Sequence, residues 1–230
     1  MRRIMLSCFV LALAASTLTP NVAQASPISL AEWSLAGKLG TEASDPATFT
    51  ASGITADNLV RGPGLTGFAG ANSMNSASWS VPLAADDFVS LGFHVTGSPV
   101  LVQDFFLGTR SSATGPGFIN VDISIDGGPF TTFTTLTQPS ATFINPHLVL
   151  NQVVHSSLAV EFRAANTTAA NGGTIGTAGT WRITDFFQGG VDTHPVEFVG
   201  TVLPEPASMT LAVVGLAGFG VTVWRRRRSA

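Results

Sequence analysis

Charge is scarce in this chain, and cysteine is nearly absent. Only 11% of its 230 residues are charged, whereas 45% are hydrophobic. A solvating, disordered chain needs the opposite balance, so the composition calls for a folded core. Positive charge is scarcer still in the interior. Of eleven basic residues, Arg2, Arg3 and Arg225 to Arg228 stand at the two ends, leaving Lys38, Arg61, Arg110, Arg163 and Arg182 against fourteen acids. Nucleic acid would find no basic stripe to follow, which argues against that class of partner. Cys8 is the one cysteine and lies close to the amino end, so disulfides cannot staple the rest, and a body of this length must rely on its own core. Enzyme signatures are missing too: there is no G-x-S-x-G, H-E-x-x-H or Gly-Lys phosphate loop. The four histidines, His94, His147, His155 and His194, lack ligand spacing and read as surface or edge residues. Adjacent Asp86 and Asp87 would point to opposite faces of a strand, which spoils them as a catalytic acid pair. No cofactor is implied.

The two ends are better defined. Met1-Arg2-Arg3, a largely apolar run from Ile4 to Ala15, and the small-x-small site Ala23-Gln24-Ala25 make a secretory signal peptide over residues 1–25, with the mature chain starting near Ser26. At the other end Pro204-Glu205-Pro206 precedes eighteen uncharged residues, Ala207 to Trp224, and then four arginines, 225–228. As a helix those eighteen span about 27 Å, enough for the hydrocarbon core of a bilayer. The arginines hold that end on the cytoplasmic side, which leaves the body outside, in agreement with the signal peptide.

Pro-Glu-Pro, a short glycine-bearing apolar helix and a basic tail, in that order over residues 202–230, resemble the PEP-CTERM sorting signal of Gram-negative and related bacteria. The resemblance implies a partner, the exosortase, a membrane transpeptidase that recognises the signal. It also implies a transient inner-membrane stage, after which the body is released or attached at the cell surface, often in the company of exopolysaccharide. Pro204, Glu205 and Pro206 would then be a recognition element for that enzyme. Two prolines keep such a segment extended and unpaired, within reach of a membrane-embedded active site.

Between the ends, residues 26–201 alternate apolar and polar side chains in short runs. Val89 to Val95, Ile119 to Ile125 and Leu158 to Ala164 each place one apolar face against one polar face, the pattern of half-buried antiparallel strands. Further strands are expected at 30–35, 48–52, 78–83, 100–107, 130–136, 180–186 and 196–202. About ten short strands, Gly/Pro/Asn turns and no period of 3.6 predict an all-β fold, a single antiparallel β-sandwich of jelly-roll type. Asp126-Gly127-Gly128-Pro129 is the strongest hairpin turn. Glycine-rich loops at 61–76, 108–117 and 165–179 are the places for function.

Candidate ligand contacts are few. Asp122, Ser124 and Asp126 followed by Gly127 have the oxygen spacing of a calcium loop, but its twelfth position is Phe133 where a bidentate acid is needed, so these residues read as solvent-facing lead-in to a hairpin. Asp104-Phe105-Phe106-Leu107-Gly108 is nearly repeated as Asp185-Phe186-Phe187-Gln188-Gly189. Paired phenylalanines send one ring to each face of a strand, so Phe105 and Phe186 are candidates for stacking on sugars, as are Trp33 and Trp79, whereas Trp181 alternates with Ile183 in a strand and reads as core. Arg61 and Arg110, both in glycine-rich loops, could hold a uronic-acid carboxylate. The expected role is structural or adhesive at the surface or in the extracellular matrix, in association with exopolysaccharide, with a carbohydrate-binding module as the alternative and a polysaccharide-degrading enzyme behind both.

Overall fold

The computed structural model describes residues 26–188 and 191–204, without the side chains of Gln188 and Val191 to Thr193. The signal peptide with Ala23 and Ala25, Glu205, Pro206, the apolar segment 207–224 and the arginine tail lie outside the described residues. Within them there are nineteen strands, and no helix is long and apolar enough to cross a membrane.

One sheet runs in the order β14 (His147–Val154), β9 (Val100–Phe106), β19 (Val196–Val202), β1 (Ile28–Trp33), β3 (Phe49–Thr50). It faces a second sheet of β12 (Thr131–Thr137), β11 (Phe118–Ile125), β15 (Ser157–Ala164), β8 (Val89–Val95), β5 (Leu59–Arg61) and β2 (Ser44–Asp45), with β4 (Ile54–Ala56) also on β8. A third holds β13 (Phe143–Ile144), β10 (Gly108–Ser111), β16 (Trp181–Thr184), β7 (Ser73–Ala77) and β6 (Thr66–Gly67), while β17 (Phe186–Gln188) and β18 (Val191–His194) form a hairpin. Only Leu107 separates β9 from β10, and only Asn145 and Pro146 separate β13 from β14, so the first and third sheets run into one another as one layer. The eight strands of six residues or more divide as β14-β9-β19-β1 and β12-β11-β15-β8. Long strands that follow one another in sequence mostly cross between these two sets, a jelly-roll arrangement.

Aromatic rings knit the layers together. Phe105 and Phe198 stack at 4.3 Å on one side. From the other, Phe93 meets Phe198 edge-on at 5.5 Å, and Phe162 lies 6.3 Å from Phe105. Phe162 then reaches Trp181 at 5.4 Å, and Trp181 reaches Trp79, so the core extends beneath the third sheet. Such pairs add about 1 kcal/mol each beyond their buried area. Trp33, Trp79 and Trp181 are all in this core. The sugar-stacking expectation for Trp33 and Trp79 is therefore corrected, while Trp181 is core as its alternation with Ile183 implies; all three indoles fill the sandwich.

Expected strands and observed ones agree at 89–95 and 196–202 and nearly so at 119–125 and 158–164. Segment 78–83 is not a strand; the extended run lies just before it, at Ser73–Ala77, every residue of which is buried. Strand β14 had no alternating signal because its register slips between Val149 and Gln152, with Asn151 at φ +50°. That bulge shifts the apolar residues from one face to the other.

Candidate binding surface on the outer face of the layer

The chain from Phe105 to Ser111 passes straight from one sheet into the next, and its alternation fixes which residues look outward. Phe105, Leu107, Thr109 and Ser111 are buried, while Phe106 and Arg110 are partly exposed on the other side. Phe105 is 0% exposed, so it offers nothing to a ligand, and its neighbour Phe106 takes the surface position. The near-repeat comes together there: Phe186, itself buried, packs edge-on against Phe106 at 5.4 Å.

Phe106 lies between two imidazoles. His147 stacks on one side at 4.4 Å and His194 at 4.5 Å, both nearly parallel to the ring. Each histidine has a carboxylate: His147 Nε2 and Asp104 Oδ1 are 2.6 Å apart, and His194 Nδ1 is bonded to Glu197 Oε1. Sequence spacing gave no sign of this cluster, because it depends on β9 lying beside both β14 and β19. Its chemistry is limited. The phenyl ring occupies the space between the imidazoles, and among the described residues no serine or threonine hydroxyl is hydrogen-bonded to either.

Four residues further along the same chain is Arg110, about 14 Å on at strand rise. Between them, Gly108 allows close approach of β16: a Cβ there would stand 2.3 Å from the Asp185 carbonyl oxygen. Arg110 is directly opposite Arg182 in the β10–β16 ladder, Asn75 follows on β7, and Phe143 of β13 flanks Arg110 on the other side. The Arg110 guanidinium sits 5.1 Å over the Phe143 ring, and its Nε donates to the Ala141 carbonyl at 3.0 Å. Burial, followed by the charge of Arg110, pushes the Arg182 guanidinium below its ordinary range.

The remaining candidates are placed elsewhere. Arg61 is not in the Arg110 cluster: its Nε donates to Ser76 Oγ and its Nη2 to the carbonyls of Gly40 and Asn75, which makes it a brace between loops. Asp122, Ser124 and Asp126 do not converge. Asp122 accepts from Thr132, Ser124 is buried and donates to the Gly128 carbonyl at 2.5 Å, and Asp126 accepts from the backbone N–H groups of His155, Ser156 and Ser157. Ser124 is thus corrected from a solvent-facing to a buried residue. Among the described residues no three His, Cys, Asp or Glu side chains are grouped to hold a metal ion. Pro204 is exposed, one residue past Leu203, whose N–H donates to the Pro99 carbonyl at 2.8 Å.

Residues 202–228 match the family model of the PEP-CTERM protein-sorting motif. The chain therefore carries a PEP-CTERM sorting signal, and its first residue, Val202, is the last of β19. No curated protein sequence matches the chain. Among solved structures, a carbohydrate binding module of family 29 is 8% identical with a TM-score of 0.39, covering 76% of this chain and 91% of that one. The K2 cleaved adhesin domain of Lys-gingipain is 12% identical with a TM-score of 0.36, covering 77% and 99%. Likeness at these values transfers neither ligand nor role.

Proposed function

We propose that this is an exported protein, handled by an exosortase-type membrane transpeptidase and delivered to the cell surface or extracellular matrix, where the β-sandwich has a structural or adhesive task. The observation that carries the reading is the sorting motif over residues 202–228, running on from the final strand. In this reading residues 1–25 are removed as a signal peptide, 26–201 form the body, and 207–224 hold the chain in the inner membrane until processing near Pro204-Glu205-Pro206.

A second reading, a carbohydrate-binding module, is supported by the outer face, where exposed Phe143 stands beside two partly exposed arginines. A degradative enzyme is less well supported. Its acids would have to converge on a substrate, whereas Asp104 and Glu197 are each engaged by an imidazole with Phe106 between them.

Intact mass of the protein from the surface fraction of its host tests the sorting reading. The expected result is a chain ending near residue 203, while a variant with Pro204, Glu205 and Pro206 replaced by alanine stays full-length in the inner membrane. A surface form that keeps Arg225 to Arg228 would mean a permanent anchor and would sink the proposal.

A further inference from the structure

The five cations of the body are not used alike. Lys38 is bonded to Asp45 at 2.5 Å, Arg163 to Glu161 at 2.6 Å, and Arg61 lies in the field of Glu42 and Asp45. Arg110 and Arg182 have no such compensation: among the described residues neither forms an ion pair, and they face each other across neighbouring strands. Like charges directly opposite in a sheet destabilise it. Acids outnumber cations in this body, so a carboxylate could readily have been placed beside them. The guanidinium donors are also largely unspent. Arg110 commits its Nε to Ala141, and among the described residues neither its Nη groups nor any Arg182 nitrogen has a hydrogen-bond acceptor.

We propose that Arg110 and Arg182 form a binding site for the carboxylate groups of an acidic polysaccharide. Each guanidinium presents a planar fork that matches a carboxylate, and a bound anion would offset the repulsion between the two. Aromatic surface flanks the pair, which favours a saccharide over a simple anion. Phe143, 46% exposed, lies beneath Arg110, and Phe68, 49% exposed, lies beyond Asn75, whose carbonyl accepts from the Phe68 N–H. Rings so placed can cover the apolar faces of sugars. From Phe143 to Phe68 the row crosses five strand positions, about 19 Å at ordinary strand spacing. Asn75 in that row is buried beneath the Ala69–Gly70 turn, to whose Ala69 carbonyl its Nδ2 donates, so the stretch accessible to a saccharide is Phe143, Arg110 and Arg182. The loop around Gly70 walls one side, since a Cβ on Gly70 would come within 3.2 Å of an Arg182 Nη.

The inference rests on the surface location proposed above for access to the polymer, but its test does not depend on sorting. The full chain in a non-ionic detergent is titrated calorimetrically with polygalacturonate, with neutral dextran and with polyglutamate. Polygalacturonate should bind, dextran should not, and polyglutamate should bind more weakly. R110Q and R182Q should each weaken polygalacturonate binding by roughly tenfold or more and flatten its salt dependence. R163Q, which breaks an existing pair, should leave the affinity unchanged. Melting curves guard against misfolding: R182Q should melt no lower than the parent, because it removes one of two repelling charges. Should R182Q unfold, R110Q and the salt dependence of the parent chain decide. Absence of polygalacturonate binding, equal binding of dextran, tighter binding of polyglutamate, or unchanged affinity in both arginine variants would each overturn the assignment. Failed processing in the host with binding intact would count against the sorting reading alone.

Discussion

Adjacent phenylalanines show how far one residue of register decides a role. Phe105 is enclosed by Phe198 and Phe162 inside the sandwich, whereas Phe106 stands on the outer face between His147 and His194. Truncating the first leaves a cavity among rings that cannot collapse into it, and F105A should cost about 3–5 kcal/mol. Phe106 keeps partial access to water, so F106A should lose mainly its ring contacts, about 1–2 kcal/mol. Urea midpoints of the two variants check this, and losses of equal size would mean that the two faces have been assigned wrongly.

At the scale of elements, the hairpin between β11 and β12 was legible because its turn demands particular chemistry. Asp126 and Gly127 have φ of +53° and +72°, and the Gly128 N–H closes the turn on the Ile125 carbonyl at 2.9 Å. Asp-Gly is the pair that such a turn favours. Asp126 does more than turn the chain: its carboxylate also gathers the N–H groups of the β14–β15 connection. Slight burial raises its pKa, but the bonds from Ser156, Ser157 and His155 together bring it below the usual carboxylate range. A depressed value stabilises the fold above the unfolded pKa, about 3.9, and that contribution disappears as pH falls through the folded value. D126N should therefore melt below the parent at neutral pH, by at most about 1 kcal/mol because the group is exposed. The two melting curves should converge on acidification, and a gap that persists in strong acid would refute the charge-based account. By contrast β14 was illegible, since its bulge hides the alternation. The Arg110–Arg182 pair was equally hidden: Arg110 alone could be singled out, because nothing local says that β10 and β16, some seventy positions apart, become neighbours.

At the scale of the whole molecule, the sandwich and the sorting motif meet without a linker. Strand β19 lies in the interior of its sheet, between β9 and β1, and the motif begins on its last residue. Leu203 is still tied to the Pro99 carbonyl, and Pro204 follows at once. A transpeptidase that grips an extended segment thus meets a folded sheet one or two residues from its recognition element. Crowding of that kind should limit access to the peptide. Six Gly/Ser residues inserted between Leu203 and Pro204 would add a mean span of about 13 Å. The insertion should leave the melting temperature unchanged and keep pulse-chase processing in the host at least as fast as in the parent. Slower processing would show that the enzyme reads the end of the sandwich together with the tripeptide, and the body would then be part of its own sorting signal.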